Sequence, residues 1–136
     1  MKERGSCILK DSFYEIIGDL IESRHEGSYW DFKQEYHQNK ANLLHDIICL
    51  ANNLDDRDAY IIFGVADNGE ILGVENDENR KNQENFITFL RDKSFSEGYR
   101  PSIEYTLIKW NNHEIDVLTI KKNSRTTTRG ASRTIN

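Results

Sequence analysis

Several features that would assign a function directly are missing from this chain. The two cysteines, Cys7 and Cys49, cannot build a disulfide framework, and the four histidines show no zinc-ligand spacing with them. No apolar stretch is long enough to span a bilayer, and the first residues lack the apolar core of a signal peptide. These absences argue against a disulfide-rich scaffold and a zinc finger. They predict a cytoplasmic protein without a membrane partner.

Nucleotide-binding and covalent-hydrolase motifs are also missing. Residues 64–69 have the glycine spacing of a phosphate-binding loop, but Glu70 and Ile71 stand where such a loop needs Lys and Ser or Thr. We therefore expect no nucleotide cofactor. No serine or cysteine lies in a nucleophile elbow, so a covalent hydrolase is not expected either.

The charge of the chain is negative overall but unevenly distributed. The net charge is −5, yet residues 1–90 carry 9 Lys or Arg against 18 Asp or Glu, whereas residues 91–136 carry 9 against 5. A basic flank of this kind is typical of polyanion binding, although a solvated tail would have the same composition. The candidate nucleic-acid-binding residues in this flank are Lys109, Lys121, Lys122 and Arg125.

The hydrophobic pattern predicts one α+β domain in which helices pack on a mixed β-sheet. The length of 136 residues is that of a single domain. We expect the domain to cover residues 1–123, followed by a basic, Ser/Thr-rich and mobile tail at residues 124–136. The predicted order is α-β-α-β-β-α-β-β, with helices at residues 12–24, 39–51 and 79–93 and strands at residues 29–33, 59–65, 71–74, 103–110 and 114–121.

Two local signals support parts of this assignment. Ser12 and Glu15 have the spacing of a capping box, which predicts that the first helix begins at Ser12. Asn68 and Gly69 form a strong hairpin-turn signal, so the strands on either side of them are expected to pair.

Three acids and a lysine are predicted to meet at the first two strands. Alternation puts Tyr29, Asp31 and Lys33 on one face of the first strand, just after Glu26, and Asp67 follows the second strand. If the strands are neighbours, these carboxylates outline a divalent-metal site suited to phosphodiester chemistry. Asp31-Phe32-Lys33 also matches the D/E-x-K half of many metal-dependent nucleases, in which the lysine orients or stabilises the attacking water. The alternative is that these residues are only the solvated face of a half-exposed strand.

The motifs follow a recognisable order along the chain. Four residues separate Glu26 from Asp31-Phe32-Lys33, a helix at residues 43–52 ends in Leu-Ala-Asn, and a hairpin follows at residues 59–74. Together they resemble the Schlafen AlbA-like domain, whose pattern is an acid, E-F-K, a helix ending in A-F-A-N and an I-G-V-D-D-x-G-x-I-x-G-V hairpin. The resemblance covers about residues 13–122.

This resemblance implies nucleic-acid binding. In the Schlafen members that cleave transfer RNA, three acids form the metal site, and they correspond here to Glu26, Asp31 and Asp67, which would hold Mg²⁺ or Mn²⁺. Lys33 would position water or the scissile phosphate. Asp31 stands where the family usually has Glu, and Ala66 replaces the first Asp of the hairpin motif. These departures leave binding better supported than catalysis.

Three functions therefore remain open. The first is a divalent-metal-dependent endonuclease acting on structured RNA such as transfer RNA, and the second is a non-catalytic DNA-binding module of a bacterial transcriptional regulator. The third is a protein-interaction domain, which negligible binding to both RNA and DNA at low salt would favour. The resembled nucleases set two such lobes side by side to form a groove. We therefore predict that this single lobe forms a homodimer.

Overall fold

A computed structural model describes residues 8–36, 40–91 and 101–122 of the chain. The predicted tail at residues 124–136, which includes Arg125, lies outside these ranges, as does Cys7. The elements are α1 (Ile8–Glu22), β1 (Trp30–Lys33), α2 (Lys40–Ala51), β2 (Ala59–Phe63), α3 (Gln83–Arg91), β3 (Ile103–Trp110) and β4 (His113–Ile120).

The four strands form one mixed sheet in the order β1-β2-β4-β3. β1 and β2 are parallel neighbours, and Asp31 lies opposite Ile61. β4 pairs antiparallel with both β2 and β3. The α+β prediction is confirmed, and the two strands that carry the predicted acids are adjacent, as a shared site requires.

Helices cover both faces of the sheet because the residues of β2 are buried on both sides. α1 packs on one face, where Ile17 and Ile21 join Phe32 and Ile62 in a buried cluster. α2 and α3 contribute Ile47 and Phe86 to a second cluster on the other face. The sheet is thus held between α1 on one side and α2 with α3 on the other.

A buried ionic cluster ties the segment before α3 to β4. Asp116 is 0 % exposed, and it accepts hydrogen bonds from Arg80 Nε at 2.9 Å and Arg80 Nη2 at 2.8 Å. The hydroxyl groups of Tyr36 and Tyr105 donate to the same carboxylate at 2.7 and 3.0 Å. Burial and the nearby Asp116 charge raise the pKa of Tyr105 to about 12, and they also raise the pKa of Tyr36. Both tyrosines therefore stay protonated and act as donors. Nothing in the sequence pattern predicted this cluster.

The predicted start of the first helix at Ser12 is wrong. The helix begins at Ile8, so Ser12 and Glu15 lie within it and do not form its cap. The apolar stripe continues one turn upstream, since Leu9, Phe13 and Ile17 follow each other at intervals of four. A Ser-x-x-Glu spacing inside a helix is indistinguishable from a capping box unless this stripe is followed to its end.

The predicted strand at residues 71–74 is reduced to a single β-bridge between Val65 and Ile71. Gly64 and Gly73 have φ angles of +101° and +83°, which no extended strand contains. The Gly64 carbonyl instead accepts two hydrogen bonds, from the backbone N–H of Leu72 at 2.7 Å and of Gly73 at 2.9 Å. The hairpin therefore closes tightly without a continuous ladder.

The third helix begins at Gln83, four residues later than predicted. The Asn82 side chain accepts a hydrogen bond from the Asn85 N–H at 2.9 Å, and the Asn85 side chain accepts one from the Asn82 N–H at 2.9 Å. These reciprocal hydrogen bonds make Asn82 the N-cap, directly before the first helical residue. The pattern of apolar residues alone did not locate this start.

Candidate functional site

The face of β1 that carries Asp31 and Lys33 is a charged site, as the alternation predicted. The Lys33 ammonium lies 3.1 Å from Asp31 Oδ2 and 2.6 Å from Asp46 Oδ2. All three side chains are mostly shielded from water. Burial alone would lower the pKa of Lys33, but the hydrogen bonds to Asp46 and then Asp31 outweigh it and raise the pKa. Lys33 is therefore a fixed cation at neutral pH.

Glu26 approaches Asp31 from the segment that joins α1 to β1. Its Oε2 atom lies 3.4 Å from the backbone N–H of Phe32, which donates to it. A hydrogen bond between the carboxyl groups of Glu26 and Asp31, partial burial and the Asp31 charge raise the pKa of Glu26 to about 7. Glu26 therefore keeps its proton to a higher pH than an isolated carboxyl group and donates it to Asp31, because both groups cannot ionise without repulsion.

Asp67 contributes to this site only through its charge. It lies in the turn after β2, where Gly69 N–H donates to the Ala66 carbonyl at 2.8 Å. The charge of Asp67 adds a small upward contribution to the pKa of Glu26, whereas Asp31 acts on Glu26 by direct contact. The structure therefore brings Glu26, Asp31 and Lys33 together, and Asp67 stands farther away.

The donor chemistry of this site fits a divalent cation. Glu26 and Asp31 supply only oxygen ligands, which Mg²⁺ and Mn²⁺ prefer, and the raised pKa of Glu26 marks a repulsion that a cation would relieve. Across residues 8–36, 40–91 and 101–122, no set of three or more His, Cys, Asp or Glu side chains is arranged to hold a metal ion. The suitability of this site for a divalent cation thus rests on Glu26 and Asp31. Asp67, in the turn after β2, is the third acid.

Asp46 is a member of the site that the sequence did not reveal. It is the nearest carboxylate to Lys33, and it comes from α2, which packs on the same face of the sheet. Asp46 directly precedes Ile47, a fully buried residue, so it borders the apolar stripe of α2. The position of Asp46 at the border of the apolar stripe was the only sign in the sequence that it could approach the sheet. This position does not show that its partner is Lys33.

The candidate nucleic-acid-binding lysines do not form one surface. Lys109 pairs opposite Glu114 near the β3–β4 turn, whereas Lys121 follows the far end of β4. Ile120 lies six residues after Glu114 along the strand, a distance of roughly 20 Å. Lys121 and Lys122 also pair with acids, since their ammonium groups lie 3.3 Å from Asp58 and 3.5 Å from Asp56. The side chain of Lys109 is 81 % exposed. Arg125 lies outside the described residues.

The family of the chain follows from a comparison with protein-family models. The model described as Schlafen, AlbA_2 matches residues 26–134, which is most of the chain. The chain belongs to the Schlafen AlbA_2 family. The match begins at Glu26, the first acid of the site, and extends beyond the residues that carried the resemblance. A search of curated proteins finds no match.

Membership of this family suggests a nucleic-acid-binding domain. Within the described part of the chain, none of the helices has the length and apolar character needed to cross a membrane.

Proposed function

We propose that this Schlafen AlbA_2 domain is a divalent-metal-dependent endonuclease that acts on structured RNA such as transfer RNA. The observation that carries the proposal is the contact between the carboxyl groups of Glu26 and Asp31 beside the fixed ammonium of Lys33. Paired carboxylates with a raised pKa are typical of metal-binding and catalytic sites. A lysine beside them suits a phosphodiester substrate, because it adds a positive charge where phosphate would lie.

Each residue of the site has a role in this proposal. Glu26 and Asp31, with Asp67 from the turn, would hold Mg²⁺ or Mn²⁺, which would supply an activated water and neutralise charge on the phosphate. Glu26 would have to give up its proton for this purpose. Lys33, which also pairs with Asp46, would keep its positive charge beside the site.

The protein in this proposal is a cytoplasmic homodimer. A single lobe of this size offers one charged face, whereas a structured RNA needs a groove with two sides. Lys109 and Lys121 lie at opposite ends of the β3–β4 hairpin and would contact the RNA backbone at separate points in a sequence-independent way. Sedimentation equilibrium of the purified chain tests this part of the proposal.

A second candidate is a non-catalytic DNA-binding module of a transcriptional regulator. A specific observation favours it: Lys33 already pairs with both Asp31 and Asp46, and the described residues hold no ready set of three metal ligands. In that case the acids would serve the fold. The two functions differ in whether metal-dependent cleavage occurs.

Cleavage of a purified transfer-RNA pool tests the proposed function. Mn²⁺ should support cleavage by the natural protein, EDTA should stop it, and Asp31→Asn should abolish it while RNA affinity is kept. Asp19→Asn, which removes the same charge from an exposed position on α1, is the matched control and should cleave normally. An intact pool in every reaction, with tight binding to duplex DNA, would favour the regulator instead.

Proton release gives a readout that does not depend on cleavage. Binding of Mn²⁺ at pH 7 should expel the proton shared by Glu26 and Asp31, which titration calorimetry in two buffers of different ionisation enthalpy detects. The Glu26→Gln protein has no such proton to release. Equal heats in both buffers would contradict a metal site on this pair.

A further inference from the structure

The loop between α2 and β2 contains three acids around one arginine, and each acid already has a partner. Asp55 accepts a hydrogen bond from the Ser28 hydroxyl. Asp56 pairs with the Lys122 ammonium at 3.5 Å. Asp58 pairs with the Lys121 ammonium at 3.3 Å and accepts the backbone N–H of Lys122 at 2.9 Å. Two of the three acids therefore pair with the lysines that follow β4, and the third binds Ser28.

Arg57 lies among these acids but pairs with none of them. Its guanidinium lies over the ring of Tyr29, with 4.1 Å between its central carbon and the ring centroid. Within residues 8–36, 40–91 and 101–122, no hydrogen bond or ion pair engages the guanidinium, and its Nε–H is buried without a partner. The backbone of Arg57 is held by Asn53, whose side-chain amide donates to the Arg57 carbonyl at 2.7 Å. The side chain is thus positioned by stacking and not by a carboxylate.

This stack lies beside the candidate site. The Tyr29 carbonyl accepts the Tyr60 N–H at 2.9 Å, so Tyr29 is fixed at the start of the β1–β2 pair. Asp31 follows two residues later, roughly 7 Å along an extended chain. One nucleic-acid strand carries consecutive phosphates close enough together to reach both positions. A substrate phosphodiester at Asp31 would therefore bring a neighbouring phosphate to Arg57.

We infer that Arg57, held over Tyr29, binds a backbone phosphate of the nucleic acid next to the one at Glu26 and Asp31. The inference rests on the nucleic-acid binding of the proposed function. A guanidinium presents several N–H donors in a plane that matches two phosphate oxygens, and stacking on an aromatic ring orients that plane without using the donors. The lysines at the end of β4 are less suited to this role because carboxylates already hold them.

Fluorescence anisotropy of a labelled transfer-RNA pool in EDTA, over about 50 to 200 mM salt, tests the inference. Arg57→Met keeps an unbranched apolar stem but removes the charge, and it should weaken binding about tenfold. It should also reduce the slope of log affinity against log salt by about 0.7 to 0.9. Arg57→Lys should keep the salt slope, since it keeps the positive charge. It should lose part of the affinity, because an ammonium lacks the planar pair of N–H donors of the guanidinium.

Arg91→Met is the matched control. Arg91 is an exposed arginine on α3 whose guanidinium contacts Thr88 Oγ1 at 3.4 Å, and its loss removes the same charge from a different element. It should leave the affinity near that of the natural protein. A purely structural role of Arg57 would lower the melting temperature of Arg57→Met and leave the salt slope of the folded protein unchanged.

The outcomes separate the inference from the function on which it rests. If the natural protein binds RNA and both Arg57 variants bind with its affinity and its salt slope, the inference is overturned while nucleic-acid binding stands. If the natural protein binds neither RNA nor duplex DNA at low salt, the proposed function fails and the inference with it. A loss of affinity in Arg57→Met with an unchanged slope would also overturn the phosphate contact.

Discussion

The ammonium of Lys33 lies between two carboxylates that come from different elements, Asp46 of α2 at 2.6 Å and Asp31 of β1 at 3.1 Å. The Lys33 ammonium therefore lies closer to the carboxylate on the helix than to the carboxylate on its own strand. Lys33 therefore has a second carboxylate partner besides Asp31.

Asp46→Asn should weaken this arrangement in two measurable ways. The pKa of Lys33 should fall, because Asp46 contributes the larger of the two stabilising hydrogen bonds. The free energy of unfolding should drop by about 1 kcal/mol, since the half-buried ammonium keeps only one carboxylate. Titration of the lysine side-chain nitrogens by NMR and urea unfolding measure the two effects. The exposed Asp19→Asn substitution should change neither, and an unchanged Lys33 titration in Asp46→Asn would contradict this account.

The raised pKa of Glu26 predicts a pH-dependent stability. Its pKa is about 7 in the folded protein against an ordinary value of 4.5, so the folded state holds the proton more tightly than the unfolded chain. This contribution is fully present below about pH 4.5 and is lost as the pH rises through about 7. Glu26→Gln keeps the side chain neutral at every pH and removes the dependence.

Urea unfolding at a series of pH values from 4.5 to 7.5 measures this effect as the difference between the natural protein and Glu26→Gln. The variant should gain relative stability as the pH rises across this range. Glu22→Gln, an exposed substitution near the end of α1, should show no such trend. A difference that stays constant with pH would mean that Glu26 does not share a proton with Asp31 in solution.

The sequence was sufficient to predict those features that depend on the residues of a single strand or helix. Alternation along β1 was sufficient to put Asp31 and Lys33 on one face, because side chains of a strand repeat every two residues. The turn before β1, in which the Gly27 N–H donates to the Trp30 carbonyl at 3.2 Å, places Glu26 next to Asp31. The metal-binding role of these residues stays a prediction.

The features that escaped prediction depend on how elements pack against each other. The contact of Asp46 with Lys33 depends on where α2 crosses the sheet, which the sequence of α2 does not specify. The separation of Lys109 from Lys121 follows from the register of the β3–β4 hairpin, although both lie in the basic part of the chain. The sequence suggests that Arg57 pairs with the acids beside it. In the structure the neighbouring acids Asp56 and Asp58 pair with Lys122 and Lys121 instead.

Loss of the buried Asp116 charge should destabilise the fold strongly. In Asp116→Asn, the Arg80 guanidinium, which donates to Asp116 through Nε and Nη2, would keep only Glu114 as a charged partner, at 2.7 Å. The loss should cost about 2 to 3 kcal/mol, because the donors around the buried carboxylate lose their charged acceptor. Tyr36→Phe removes only one hydroxyl donor and should cost about 1 kcal/mol.

Chemical unfolding of both variants checks this ranking. Glu104→Gln is the control, because Glu104 is an exposed acid 3.9 Å from Lys121 and its loss should be nearly neutral. If Asp116→Asn proved no more damaging than Glu104→Gln, the cluster would contribute little to the fold.

Two glycines should respond in opposite directions to replacement by alanine. Gly64 has a φ angle of +101°, and a Cβ atom there would lie 3.2 Å from the Gly73 backbone and from Ile115 Cγ2. Gly64→Ala should therefore lose about 2 kcal/mol through backbone strain and crowding. Gly18 lies within α1, and its Cβ would meet Trp110 Cη2 at 3.4 Å, an ordinary van der Waals contact. Gly18→Ala should gain up to about 1 kcal/mol, because alanine favours the helix.

The pair is its own control, since both variants add one methyl group to the same protein. Thermal unfolding should give a lower midpoint for Gly64→Ala and an equal or higher midpoint for Gly18→Ala. Because Gly64 lies three residues before Asp67, Gly64→Ala should also shift the turn that carries this acid. Under the proposed function, metal affinity should then fall in Gly64→Ala and stay unchanged in Gly18→Ala. Equal metal affinities in the two folded variants would show that the turn does not contribute a metal ligand.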